Sequence, residues 1–92
     1  MNFDDNWTAF ADLCLSAKNP EQLKKLFDLF LTFEEKRTLA SRYKIIKTLM
    51  ESKLTQREIA EQFKVSISQI TRGSNALKIV DKEILSLLKE NL

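Results

Sequence analysis

The feature that most constrains this chain is a recurring helix-start device. A serine or threonine followed three residues later by glutamate or glutamine can exchange hydrogen bonds with the backbone and close a helix's first turn. The pattern occurs at Thr32 and Glu35, at Thr55 and Glu58, and at Ser66 and Gln69. Leu54 with Ile59, and Val65 with Ile70, add apolar staples to the second and third of these starts. Asn19 before Pro20 marks another start, because asparagine caps well and proline suits the first helical position. Asp81 is placed to cap a final helix holding Ile84, Leu85, Leu87 and Leu88.

Apolar spacing supplies the helices between these marks. Phe3, Trp7, Phe10 and Cys14 recur at helical intervals and predict a first helix over about 3–18. Leu23, Leu26, Phe27 and Phe30 form one stripe over about 20–30, and Leu39, Tyr43, Ile46 and Met50 carry a third helix to about residue 51. Two short helices over about 55–63 and 66–75 follow, and no stretch alternates as a strand would. The expectation is an all-α, six-helix chain forming one domain over residues 1–92. A chain of 92 residues is near the lower end of what builds its own core. Long helices with short links can leave more apolar stripe than one protomer covers, which points to a homodimer, with a monomeric bundle as the alternative.

Several kinds of chemistry are excluded. Histidine is absent and Cys14 is the only cysteine, so the common base–nucleophile pairs, zinc sites and disulfide frameworks cannot be assembled. We expect no enzyme, no catalytic residue, no metal and no cofactor, and a reducing cytoplasm as the compartment. The start "MNFDDNWTAF" carries acids where a secretory leader needs a basic and then an apolar stretch. The longest apolar runs fall far short of the ~20 residues that span a bilayer, so no membrane partner is expected.

The net charge of +2 conceals a basic centre. Residues 1–35 carry −4, residues 36–78 carry +7 and residues 79–92 carry −1. Such a distribution suits one face to an anion. The two short helices, separated by "KVS", have the size and spacing of a helix-turn-helix over about 55–76. Ile59, Phe63, Val65 and Ile70 face inward there, and Ala60 sits where the helices must approach closely. Ile67, Ser68, Thr71 and Asn75 face outward, with side chains short enough for the helix start to enter a DNA major groove. Residues 62–80 hold no acid, whereas Lys64, Arg72 and Lys78 are basic, as a phosphate-facing surface requires. Lys64 stands in the turn, where many such motifs use glycine for its positive φ. A non-glycine residue there costs ~1 kcal/mol.

Gly73 is the chain's only glycine, and it lies inside the second of these helices, where glycine costs ~1 kcal/mol relative to alanine. It follows Arg72, and neither Arg72 nor Arg42 has an acid within reach on its own helix. Two such arginines are free to meet phosphate, a ligand carboxylate or an aromatic face. Solvated arginines on a fraying helix would give the same spacing.

"LFLTFEEKRTLASRYKII", "TQREIAEQF" and "SQITRGSNALK" resemble the Trp repressor family, and "ITRGSN" is the most specific part. The resemblance runs without a gap over about residues 29–78 and more loosely over the rest. It implies an intertwined homodimer that binds L-tryptophan as corepressor and then a palindromic DNA operator, repressing genes of tryptophan biosynthesis or uptake. The indole would lie between Arg42 and Arg72, with Arg72 also pairing with the ligand carboxylate and Gly73 making room. Thr32 and the backbone carbonyls of Leu29 and Leu31 would come from the other subunit. Arg57 would be the direct base reader, Gln56, Ile67, Ser68 and Thr71 would lie at or near the duplex, and Ser41 and Lys78 would contact its backbone. Three positions depart from the family's pattern: Ala76 replaces a serine that helps hold the ligand ammonium, Gln69 replaces a threonine near the pocket, and Phe33 replaces a frequent proline. Two other functions stay open on the residues: a helix-turn-helix regulator of the same fold with no ligand or a different one, and a helical module whose basic face meets an acidic protein.

Overall fold

A computed structural model describes residues 2–92. These residues form six helices and no strand: α1 Phe3–Leu15, α2 Pro20–Phe30, α3 Phe33–Glu51, α4 Gln56–Phe63, α5 Ile67–Ile79 and α6 Lys82–Asn91. They divide into two units, one through Arg37 and one from Thr38 to Leu92, with the boundary inside α3. No helix among the described residues is long and apolar enough to cross a membrane.

In the N-terminal unit, local hydrogen bonds set the helix ends. The Asn2 side chain accepts from the Asp5 amide at 2.9 Å and starts α1, a cap not anticipated from the sequence. This helix ends at Leu15 rather than near 18. Pro20 bars helical backbone at the preceding residue, so Asn19 is extended, and its side chain accepts from the Gln22 amide at 2.9 Å. The Gln22 side chain reaches back to the Lys18 amide at 2.8 Å, so the link belongs to the start of α2. The Thr32–Glu35 box forms in both directions: the Glu35 amide donates to Thr32 Oγ1 at 3.1 Å, and the Thr32 amide donates to Glu35 Oε1 at 2.8 Å. Phe3, Trp7 and Phe10 stack in series with ring centroids 6.1 and 5.8 Å apart, and Phe10 meets Phe30 edge-on at 5.2 Å. No residue of α1 or α2 is buried.

The C-terminal unit holds the buried core. Ile59 and Ile70 are fully buried, Ile45 and Ala60 nearly so, and Leu49, Phe63 and Val65 pack against them. One helix each of α3, α4 and α5 therefore meets at this cluster. The expected stripe of α3 needs correction: Leu39 and Tyr43 remain half-exposed, and the face that packs is Ile45 with Leu49. Apolar residues lie on more than one side of α3, and only the approach of α4 and α5 selects which side is covered.

The Thr55–Glu58 box forms at both of its bonds, 3.1 and 3.0 Å. The third box does not. Ser66 occupies the N-cap of α5 with extended backbone, but its hydroxyl pairs with the Ser68 hydroxyl at 2.9 Å and accepts no cap bond. Asp81 likewise holds the N-cap position of α6 through its backbone, with no side-chain cap bond. Helix α5 runs to Ile79, four residues past the expected end, because Ala76, Leu77 and Lys78 favour helix and nothing before Val80 stops it.

Candidate functional site

Helices α4 and α5 pack as a helix-turn-helix around Ile59, Ala60 and Ile70. The turn between them is made by Lys64, the only non-glycine residue with positive φ among those described, at φ 57° and ψ 44°. Its left-handed conformation lets the Val65 amide bond back to the Ala60 carbonyl at 3.1 Å, closing the end of α4. The expectation that lysine stands where glycine is usual is met.

Above this core, Ile67, Ser68, Thr71, Arg72, Asn75 and Lys78 are exposed. Arg57 is exposed at the start of α4, and Gln56 beside it is half-buried. Thr71 Oγ1 donates to Gln56 Oε1 at 2.8 Å, joining the start of α4 to the second turn of α5. Ser41 is half-buried on α3. Arg42, Arg57 and Arg72 enter none of the ion pairs among the described residues, which are Lys24–Glu21, Lys36–Asp28 and Arg37–Glu34. Of these, Arg72 lies within residues 62–80, a stretch with no acid.

Gly73 faces α3. A Cβ built on it would stand 3.2 Å from Ile45 Cγ2, 3.3 Å from Leu49 Cδ1 and 3.5 Å from Ile46 Cδ1. Its φ is not positive, so packing, and not backbone conformation, accounts for glycine here. A β-carbon at this position would require the Ile45 and Leu49 side chains to give by a few tenths of an ångström, so α5 lies close against α3 here. Positions 42, 45, 46 and 49 share one face of α3. Arg42 therefore stands one turn before the α3 residues that Gly73 faces, and both Arg42 and Arg72 are exposed.

Thr32, Leu29 and Leu31 belong to the N-terminal unit, and Arg42, Arg72 and Gly73 to the C-terminal one. The Thr32 hydroxyl already accepts from the Glu35 amide. Leu29 is in the last turn of α2, where helix carbonyls lack internal partners, and Leu31 follows it with extended backbone. The backbone amides of Thr32 and Thr55, helped by their hydroxyls, hold the Glu35 and Glu58 carboxyls below the usual carboxylate range. Each of these acids is thereby kept charged at its helix start.

One contact of the site was not anticipated. The Lys44 ammonium lies 4.4 Å from the centre of the Phe63 ring, a cation–π contact that joins α3 to the last residue of α4. The sequence signal, a lysine one residue before the core position Ile45, is too common to have singled it out.

A buried three-helix junction carrying an exposed, acid-free second helix defines a small all-α protein of the helix-turn-helix class. Comparison with known families makes the assignment specific. The family model described as Trp repressor protein matches residues 5–92, and the chain belongs to that family. A Trp operon repressor homolog of Chlamydia trachomatis serovar D is 49% identical over 89 residues, covering 97% of this chain and 95% of the relative. The homolog of Chlamydia caviae is 49% identical over 86 residues, with 94% and 85% covered. That of Histophilus somni strain 2336 is 35% identical over 88 residues, with 96% and 83% covered.

Proposed function

We propose that this protein is a cytoplasmic, dimeric transcriptional repressor that binds a palindromic operator in response to L-tryptophan and regulates tryptophan biosynthesis or uptake. The observation that carries this reading is the exposed α5 surface, acid-free and resting on a packed α4, in a chain of the Trp repressor family. Arg57 reads bases, Gln56, Ile67, Ser68 and Thr71 lie at or near the duplex, and Ser41 and Lys78 hold its backbone. The helix-turn-helix of about 55–76 acts within one helical domain of residues 1–92, and no catalysis is involved.

The homodimer is supported by the large apolar side chains left exposed, among them Phe3, Trp7, Leu29, Phe33 and Ile79. Arg42 and Arg72 flank the indole, Arg72 pairs with the carboxylate, and Thr32 with the carbonyls of Leu29 and Leu31 is contributed by the second protomer. The side of Gly73 that faces Ile45 and Leu49 is filled, so the ligand's room lies toward Arg42, one turn earlier on that α3 face. Tryptophan acts by population shift. It must bind the DNA-competent arrangement of the two heads more tightly than the loose one, since equal affinity would shift nothing. In such dimers the two second helices sit one helical turn of DNA apart, ~34–36 Å.

The test is titration of a candidate operator at fixed salt with and without L-tryptophan. Tighter binding with the amino acid is expected, and equal affinity removes the corepressor role. Arg72→Ala abolishes the ligand response, whereas Arg57→Ala weakens operator binding and leaves the response in place. Ala76, with no hydroxyl for a ligand ammonium, favours a second reading in which a different ligand, or none, governs the same fold. Calorimetry with L-tryptophan and indole analogues separates the two. Steep salt dependence with a sequence-specific excess separates both from a module that binds an acidic protein.

A further inference from the structure

Leu31 and Thr32 link α2 to α3, and the local bonds of this link tie it to one helix at a time. The Leu31 amide donates to the Phe27 carbonyl at 2.8 Å and closes α2. Thr32 exchanges its box bonds with Glu35, and its carbonyl accepts from the Lys36 amide at 3.0 Å, all within the start of α3. None of these sets the angle between the two helices, because Leu31 is extended and no residue of α2 is buried. Lys36 supplies what they lack. Its ammonium donates to Asp28 Oδ1 at 2.6 Å, across the link and back to the last turn of α2. Among the described residues the other ion pairs, Lys24–Glu21 and Arg37–Glu34, each stay within one helix.

The clasped segment carries three groups of the proposed ligand site. The carbonyls of Leu29 and Leu31 have no partner within α2, and a carbonyl can only accept. With the ligand carboxylate on Arg72 and the ring between the two arginines, the donor left for these carbonyls is the ammonium. From this geometry we infer that Asp28 and Lys36 are positioning residues for the corepressor: their ion pair fixes α2 against α3 and so places the two carbonyls that receive the ammonium. Asp28 directly precedes Leu29, and Lys36 is bonded through its amide to Thr32, so the pair grips the segment from both ends. The inference rests on the corepressor reading above and goes beyond it, because it assigns a role in ligand selection to two residues outside the site.

The experiment is calorimetry on the full chain with two ligands: L-tryptophan, and indole-propanoate, which keeps the ring and carboxylate but has no ammonium. Wild type is compared with Lys36→Met, Lys36→Arg, Asp28→Asn and Asp28→Asn/Lys36→Met. Lys36→Met and Asp28→Asn each weaken L-tryptophan binding by about threefold, the scale of one exposed ion pair. Lys36→Arg, which keeps the charge, binds as wild type does. The double variant is no weaker than either single one, because the two residues act as a unit. Binding of indole-propanoate is the same in all five proteins.

Unchanged L-tryptophan affinity in both single variants overturns the inference. An equal loss for both ligands overturns it as well, since the clasp would then support the fold and not the ammonium site. So do losses that add in the double variant, the mark of two independent charges. If wild type does not bind L-tryptophan, the corepressor reading itself fails, an outcome distinct from the other three. Ligand-free unfolding midpoints and sedimentation that match wild type are expected; a midpoint that falls in step with the affinity would overturn the positioning role.

Discussion

The two units of this chain solve the problem of apolar burial differently. From Thr38 onward, three helices enclose Ile45, Ile59, Ala60 and Ile70 within a single protomer. Through Arg37, the chain is richer in aromatic residues yet buries none: Phe3 is 73% exposed, Trp7 61% and Phe33 68%. Stacking of Phe3, Trp7 and Phe10 removes some ring surface from water but cannot substitute for a core. The difference teaches where each unit obtains its stability. The helix-turn-helix carries a minimal core of its own, and the N-terminal helices present surface suited to a second copy of the chain, as the proposed dimer requires.

The largest effects should come from the core of the C-terminal unit. Ile59→Ala or Ile70→Ala removes a fully buried side chain and is expected to cost ~2–5 kcal/mol in chemical denaturation. A cost under ~1 kcal/mol would mean that the cluster does not hold the head together. Trp7→Ala addresses the other unit. Were Trp7 to stay exposed as in the single chain, its loss would change stability by no more than ~0.5 kcal/mol. Covered by a second protomer, it costs ~3 kcal/mol or more and shifts sedimentation equilibrium toward monomer. We expect the larger value, accompanied by a blue shift of Trp7 fluorescence as concentration rises.

Smaller effects sharpen the comparison at the helix starts. Thr55→Ala removes the hydroxyl that accepts from the Glu58 amide in a formed box and should cost ~1 kcal/mol, while Ser66→Ala, which removes no cap bond, should cost only a few tenths. Equal costs would contradict the difference between the two caps. Glu35 lies in the N-terminal unit and Glu58 in the C-terminal one, and both carboxyls have a lower pKa folded than unfolded. Their contribution is therefore present above the unfolded pKa and is lost as pH falls through the folded one. Thermal unfolding against pH should show this acid-side loss, shallower in Glu35→Gln and in Glu58→Gln. The smallest effect is a gain: Lys64→Gly relieves left-handed strain and should stabilise by about 0.5 kcal/mol, net of the extra freedom that glycine gives the unfolded chain.

Much of the fold was legible because its signals are local. Asn19 with Pro20, Thr32 with Glu35 and Thr55 with Glu58 act within one helical turn, so their spacing is enough to locate α2, α3 and α4. The inward set Ile59, Phe63, Val65 and Ile70 was legible for the same reason, since a short helix has few ways to bury its apolar side. The Ser66–Gln69 box misled, because Ser68 offered the Ser66 hydroxyl a closer alternative. Of the candidate site, the sequence marked Arg42, Arg72 and Gly73 as unusual through charge and composition, and resemblance supplied their expected roles.

By itself, then, the sequence determined helix content, most helix starts, the left-handed turn at Lys64 and the absence of acid around α5, all of which depend on neighbours within a few residues. Only the tertiary structure decided which face of α3 is covered, what stands against Gly73, and that Thr71 of α5 meets Gln56 of α4. Each of those depends on groups brought together from 15 to about 30 residues apart. Their separation in the chain leaves no periodic trace, because the contact is set by how whole helices pack and not by the spacing within any one of them.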